Sequence, residues 1–248
     1  MNTATAEKTD LIFISNDSKF FKIPSYPITY WVSETKANNF KNLIDRVLAC
    51  KTGLICGNNE KYIRFWFEVK MESICFSCQS INQTSCISSK WFPYNHGGQK
   101  TKWYGGHLEL INMYHDAMQI RQEKNAMLRN SDYYFQKGIT WNRVGSGVKF
   151  AARMACLGFV FDDVSPSGFV NDEEIENVLG YMNSVVFNDY LRMFSNGLKV
   201  EIGQILKVPY KPALDIKIKQ FVNENIQESK VDWDSFETSW DFKKHPLV

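Results

Sequence analysis

The chain has 248 residues, of which 44% are hydrophobic and 23% charged, enough to bury a core in one large domain or two small ones. It contains no apolar run of about 18 residues, and its start, MNTATAEKTDLIF, has neither a basic segment nor an apolar signal stretch. A membrane or exported protein is therefore not indicated, and a cytoplasmic location is expected. The formal charge of +2 says little about partners by itself and conceals an uneven spread: 6 basic against 5 acidic side chains in 1–50, 14 against 9 in 51–170 and 9 against 13 in 171–248, or +1, +5 and −4. A positive middle is what a polyanion-binding face needs, and it is also compatible with an ordinary solvated surface.

In chain order, LIFISNDSKFFKIP reads as two short strands around Asn16-Asp17-Ser18. YWVSETKANNFKNLIDRVLAC reads as a helix with Phe40, Leu43, Ile44, Val47 and Leu48 on one face. Gly53, Gly57 and the Asn58-Asn59 turn lead into the β-branched and aromatic run YIRFWFEV. From there to about 168, short apolar runs alternate with Gly, Asn, Pro and Ser breaks, a β-rich region with long connections. A helix is expected over 173–194, with an Asn171/Glu174 capping box, Ile175, Val178, Leu179, Met182, Val185, Val186 and Met193 at helical spacing, and Gly197 as its stop. VEIGQILKVPY reads as a strand and turn, and 212–228 as a second helix with Pro212 in its first turn and Leu214, Ile218, Phe221 and Ile226 along one side. The tail, VDWDSFETSWDFKKHPLV, is rich in acids and aromatics and reads as the beginning of a segment that continues.

The expected class is α+β: a β-rich domain with long loops over 51–211, an N-terminal part (1–50) of the same domain, and a spacer helix with a further segment over 212–248. Both helices are expected to act as scaffold.

Catalytic signatures are missing. The sequence has no G-x-x-x-x-G-K-S/T loop, no G-x-G-x-x-G, no H-E-x-x-H and no G-x-S-x-G. His96, His107, His115 and His245 show no paired metal spacing. Cys75 and Cys78 have knuckle spacing, but only Cys86 and His96 lie near enough to complete four ligands, so the six cysteines are expected to be free thiols and no metal is expected. Asp162-Asp163 could supply acids, although such a pair usually marks a solvated turn. The residues alone point to a binding or interaction module.

Five segments read together say more. TGLICGNNEKYIRFWFEV (52–69), KWFPYNHGGQKTKWYGG (90–106), NSDYYFQKGITWNRVGSGVKFAARMACLGFVFDD (130–163), VLGYMNSVVFNDYLRMF (178–194) and VEIGQILKVPY (200–210) occur in that order. Over roughly 20–246 the chain resembles the C-terminal target-recognition region of large adenine-specific DNA methyltransferases, in particular the PglX type of BREX phage-defence systems. Fused restriction-methylation enzymes (type II restriction enzyme methylase subunits) and type I specificity subunits are more distant relatives. The resemblance implies duplex DNA as partner, with the methyltransferase domain of the same parent polypeptide and other defence proteins as further partners. It also implies S-adenosylmethionine as cofactor of the parent. The F-x-G-x-G-like cofactor loop and the Asn/Asp-Pro-Pro-Tyr/Phe motif that holds the flipped adenine are both absent, so this chain is expected to recognise DNA without modifying it and to have no cofactor of its own. Where relatives carry Ala-Thr-Gly-Asp-Asn, this chain has Ile55-Cys56-Gly57-Asn58-Asn59; Thr101 replaces a frequent Arg and Gly106 a common Asn, so recognised bases do not transfer.

With DNA as partner, loops 51–64, 90–106 and 140–153 are expected to form one face. Lys51, Arg64, Lys90, Lys100, Lys102, Lys149 and Arg153 would neutralise phosphates, and Asn58, Asn59, His96, Gln99, Asn142 and Arg143 are the types able to bond base edges. Trp91, Trp103 and Trp141 suit packing better than base stacking, and any one lysine could be a bystander on a solvated surface. The alternative is a protein-interaction or assembly module, suggested by Trp233, Phe236 and Trp240; an independent enzyme has no nameable residues.

Overall fold

A computed structural model describes residues 17–97, 100–144, 150–195, 198–213, 215–245 and 247. The α+β class expected from the sequence is the one observed. In chain order the elements are α1 (Glu34–Asn38), β1 (Ala49–Lys51), α2 (Asn59–Tyr62), β2 (Ile63–Phe65), β3 (Trp91–Asn95), β4 (Glu109–Asn112) and the one-turn α3 (Tyr114–Ala117). They continue with β5 (Gly138–Trp141), β6 (Ala152–Ala155), β7 (Val160–Phe161), β8 (Ser167–Phe169), α4 (Ile175–Met182), α5 (Val185–Leu191), α6 (Ile202–Ile205) and α7 (Ile216–Asp234). Within α3, His115 and Asp116 take left-handed backbone angles, so His107 and His115 share no helical face.

The strands form two four-stranded sheets. One is antiparallel, in the order β1-β8-β5-β6; the other, β2-β4-β3-β7, is antiparallel except for β7, which runs parallel to β3. β5 and β6 are buried along their whole length, as GITW and ARMA suit a covered strand pair. A first core joins Ile23, Phe40, Ile44 and Leu48 to Ile139 and Trp141 of the antiparallel sheet and to Val178, Leu179, Met182 and Phe187 of the helices. A second joins Leu54, Tyr62, Phe92, Tyr94, Ile111 and Phe161. Phe169 of β8 packs in this second core, 5.6 Å from the Phe161 ring, and so couples the two sheets.

Several elements depart from the sequence expectation. Residues 11–16 lie outside the described residues, and Asp17–Lys22 forms a 3-10 turn where a strand was expected. The helix expected from about residue 30 shrinks to α1, because the backbone of Ile44 leaves helical pairing to donate to Val208 O at 2.9 Å. The long helix over 173–194 is two helices. Asn183 breaks it by turning its amide onto β6: Oδ1 accepts from Ala152 N (3.0 Å) and Nδ2 donates to Ala152 O (2.8 Å), completing the edge of that strand. Ser184 then caps α5 by accepting from Phe187 N. Glu174 precedes α4 with no side-chain cap bond, so the Asn171/Glu174 capping box is not formed, and Gly197 lies outside the described residues.

In place of the strand expected within 200–210 stands the single turn α6, before which Glu201 N donates to Gln204 Oε1. α7 starts at Ile216, capped by Asp215, whose side chain accepts from Lys217 N, and not at Pro212. Its buried residue is Val222, set against Gly180 of α4, where an added Cβ would come within 2.7 Å of Val222 Cγ2. That contact turns Phe221 outward, to 57% exposure, and Leu214 lies outside the described residues.

Candidate nucleic-acid interface

The end of β7 gathers three segments that are distant in sequence. Gly53 N donates to Asp162 O (3.1 Å), Asp162 N donates to Asn95 O (3.2 Å) and Arg143 N donates to Val164 O (2.8 Å). The segment 162–164 is thereby bonded to each of the loops expected to form one face. Gly53 is required at this junction: a Cβ there would sit 1.9 Å from the carbonyl oxygen of Phe161. Asp162-Asp163 is not a solvated turn. Asp162 is 4% exposed and accepts from Ser165 N, a short-range bond that folds the chain back after β7.

The side chains at this junction form two charged groups. His96 stacks on Tyr94 and lies between two carboxylates, with Nδ1 2.8 Å from Glu109 Oε2 and Nε2 3.4 Å from Asp162 Oδ2. The hydrogen bond to Glu109 holds its pKa above the ordinary histidine value, against the opposing effect of burial. Burial pushes Asp162 up to about 6, although His96 and the backbone donors around it favour the charged form. In the second group Asp163 is shared: Arg129 Nη1 donates to Oδ1 and Arg143 Nη1 to Oδ2, each at 2.9 Å. Arg143 Nε donates in addition to Glu201 Oε2 at 2.9 Å, and this bond raises the pKa of its guanidinium further.

The remaining sequence candidates divide. Lys51 lies 4.8 Å above the Tyr133 ring, beside the junction. Asn142 Oδ1 accepts from Ser165 Oγ at 3.1 Å and so belongs to the junction too. Asn58 and Asn59 serve local structure: Asn58 Oδ1 accepts from Lys61 N to cap α2, and Asn59 Oδ1 accepts from Cys56 Sγ. Arg64 and Lys90 flank Trp91, at 5.9 and 5.4 Å from its ring, at the opposite end of β3 from His96. At about 3.3 Å per residue, that places Lys90 roughly 20 Å from His96. Lys102 donates to Asn183 O at 3.0 Å and, with Asn188, Asp189 and Arg192, lines a concavity of about 400 Å³. Lys100 is exposed, and Gln99 and Lys149 lie outside the described residues. Arg153 is 1% exposed on β6, and burial draws its pKa down to about 10.

Trp91 and Trp141 are buried and Trp103 is half-buried, in keeping with packing roles. The tail aromatics pack inward as well: Trp240 stacks on the buried His107 at 5.8 Å, and Trp233 lies against the same ring at 6.3 Å. Phe236 alone of the three is half-exposed, at 50%. Sequence reasoning did not single out Arg129, Glu109 or Glu201. Their one signal is complementary charge across 13 to 58 residues, which no local pattern reveals. Among the described residues no group of three or more side chains could hold a metal ion, and no helix is long and apolar enough to cross a membrane.

No protein-family model matches the chain. Comparison with curated proteins finds it similar to adenine-specific methyltransferases, over about one fifth of their length. It is 31% identical over 250 aligned residues, 96% of this chain, to the adenine-specific methyltransferase PglX of Lacticaseibacillus casei (strain Zhang). It is 36% identical over 239 residues, 95% of this chain, to the adenine-specific methyltransferase BrxX of Escherichia coli O9:H4 (strain HS). These alignments span 20% and 19% of the two relatives. The chain therefore matches a segment of PglX-type proteins, and the resemblance drawn from the sequence is borne out.

Proposed function

We propose that this chain recognises duplex DNA for a PglX-type adenine-specific methyltransferase of a BREX or restriction-modification defence system. The observation that carries the reading is the junction at 162–164, where backbone bonds tie the three loops to one point beside His96, Asn142, Arg143 and Lys51. An enzyme that modifies one base in a duplex must first locate a short sequence and then extrude that base. Locating needs phosphate contacts for register and polar side chains for base edges. Asn142 supplies a planar hydrogen-bonding group at the junction, which Arg143 braces through Asp163 and Glu201, while Lys51, Lys100 and Lys102, with Arg64 and Lys90 at the far end of β3, supply positive charge. Asn58, Asn59, Gln99 and Lys149 complete the proposed set, from which Arg153 drops out because it is buried on β6.

S-adenosylmethionine and methyl transfer are assigned to the remainder of a PglX-type polypeptide, since this sequence has neither a cofactor loop nor a Pro-Pro motif. The test is fluorescence anisotropy with labelled duplex DNA in the absence of cofactor. Binding should weaken steeply between about 50 and 200 mM salt; no binding at the lower salt would refute the proposal. In the full-length protein, exchanging residues 90–106 should change the methylated sequence read by methylome sequencing.

A second reading, an assembly surface within a defence complex, no longer draws on the tail, whose tryptophans are packed. It draws on Phe21, Tyr26, Tyr30 and Trp31, exposed by 46–68% within eleven residues. Unchanged methylation after K100E and K102E in the full-length protein would favour it.

A further inference from the structure

Arg129 and Arg143 approach Asp163 from its two oxygens, yet their guanidinium groups are committed to different degrees. Arg143 places Nε on Glu201 and Nη1 on Asp163, both carboxylates. Turning it toward DNA would leave Glu201 facing a phosphate with its partner gone, an arrangement of like charges. Arg129 places Nη1 on Asp163 and Nη2 on the thioether of Met127, at 2.9 Å each. A thioether is a weak acceptor, readily exchanged for a charged oxygen.

The backbone beneath Arg129 is fixed. Tyr134 Oη donates to Arg129 O (2.8 Å), Asn130 Nδ2 donates to Thr52 O (2.8 Å), and Ile55 and Met127 exchange two backbone bonds of 2.9 and 2.8 Å. A fourth segment, 127–130, is thus built onto the 51–64 loop and carries a side chain that is 40% exposed, against 29% for Arg143. The stem is held in place and the head has an edge to exchange, the combination that lowers the ordering cost of a contact.

We infer that Arg129 is the phosphate-contacting arginine at this end of the interface and that Arg143 is a positioning residue, which neutralises Asp163 and ties the 140–153 loop to Glu201. The inference rests on the DNA-binding reading above. On binding, Arg129 keeps Nη1 on Asp163 and exchanges the sulfur at Nη2 for a phosphate oxygen. Arg143 stays on its two carboxylates.

The experiment measures the salt dependence of duplex binding for the full chain and for R129A, R129K and R143A, with thermal unfolding in parallel. R129A should lower the slope of log affinity against log salt by about one, weakening binding about tenfold near 50 mM salt and about threefold near 200 mM, with little change in unfolding midpoint. R129K, which keeps the charge, should retain the slope; R143A should lower the midpoint. A wild-type slope and affinity for R129A would overturn the inference while leaving DNA binding intact, as would a slope lost in R143A alone at an unchanged midpoint. Failure of the unaltered chain to bind at low salt would remove the DNA reading and this inference with it, a result distinguishable from the others because it appears before any substitution.

Discussion

Asp162→Asn should make the protein more stable, by clearly more at pH 8 than at pH 4.5. The Asp162 carboxyl is 4% exposed and its pKa lies near 6, against an ordinary value of 3.8, with burial the main cause. A raised acid pKa means that the folded state holds the proton more tightly than the unfolded one. Stability is therefore greatest below 3.8 and is lost as pH rises toward 6. At 1.36 kcal/mol per pKa unit, burying the ionised form costs about 3 kcal/mol above pH 6, an amount that asparagine does not incur. Asparagine retains an oxygen to accept from Ser165 N.

His96 contributes with the same sign. Its pKa is raised, first by Glu109 and in part by Asp162, so its contribution is present below 6.5 and lost as pH rises through the folded value. Removing Asp162 lessens that loss. Urea unfolding followed by tryptophan fluorescence at pH 4.5 and 8 should show the variant gaining about 2–3 kcal/mol on the wild type between the two. Carboxylates with lowered pKa, such as Glu34 and Glu123, cancel in the difference because both proteins carry them. A difference that stays constant with pH would refute the assignment of a buried, reluctantly charged carboxylate at the junction.

Gly53→Ala should destabilise the chain by about 3 kcal/mol in denaturant unfolding, since its Cβ would fall 1.9 Å from Phe161 O. If the junction organises the interface, duplex affinity should fall along with stability. Trp240→Ala opens the aromatic wall over His107, whose pKa burial now holds at about 3. Histidine proton NMR should show that value moving toward 6.5, and an unmoved titration would mean that the tail does not bury the ring. Ser184→Ala removes the cap on Phe187 N and should cost about 1 kcal/mol by urea unfolding, without altering DNA affinity.

The elements legible in the sequence are those whose fate is decided locally. Trp141 within GITW suits packing and is fully buried in β5, because a large aromatic in a short apolar run has few alternatives. The apolar spacing of Ile175, Val178, Leu179 and Met182 found α4 for the same reason. The failures lie where a distant partner outbids local preference. Ile44 and Leu48 keep a helical spacing, yet Val208 O takes the Ile44 amide and the chain turns toward β1. Asn183 looks like any polar residue in a helix, and only its two bonds to the backbone of Ala152 explain why the helix stops there.

The candidate interface shows the same division more sharply. Its cationic residue types were visible along the chain, whereas their roles depend on carboxylates that lie far away in sequence. Arg143 and Arg129 are alike in type and differ in commitment, because Glu201 stands beside one and a thioether beside the other. Arg153 sits on a strand buried on both sides and Arg64 at the far end of β3, so equal formal charge gives the two unequal access to a duplex. The acids therefore sort the bases. The backbone of 162–164 ties three loops together, and Asp163 and Glu201 decide which guanidinium can exchange partners. A search of such sequences for basic residues alone would rank Arg129 no higher than its neighbours. Weighing each cation against the carboxylates that hold it separates a contact residue from one that holds the surface in shape.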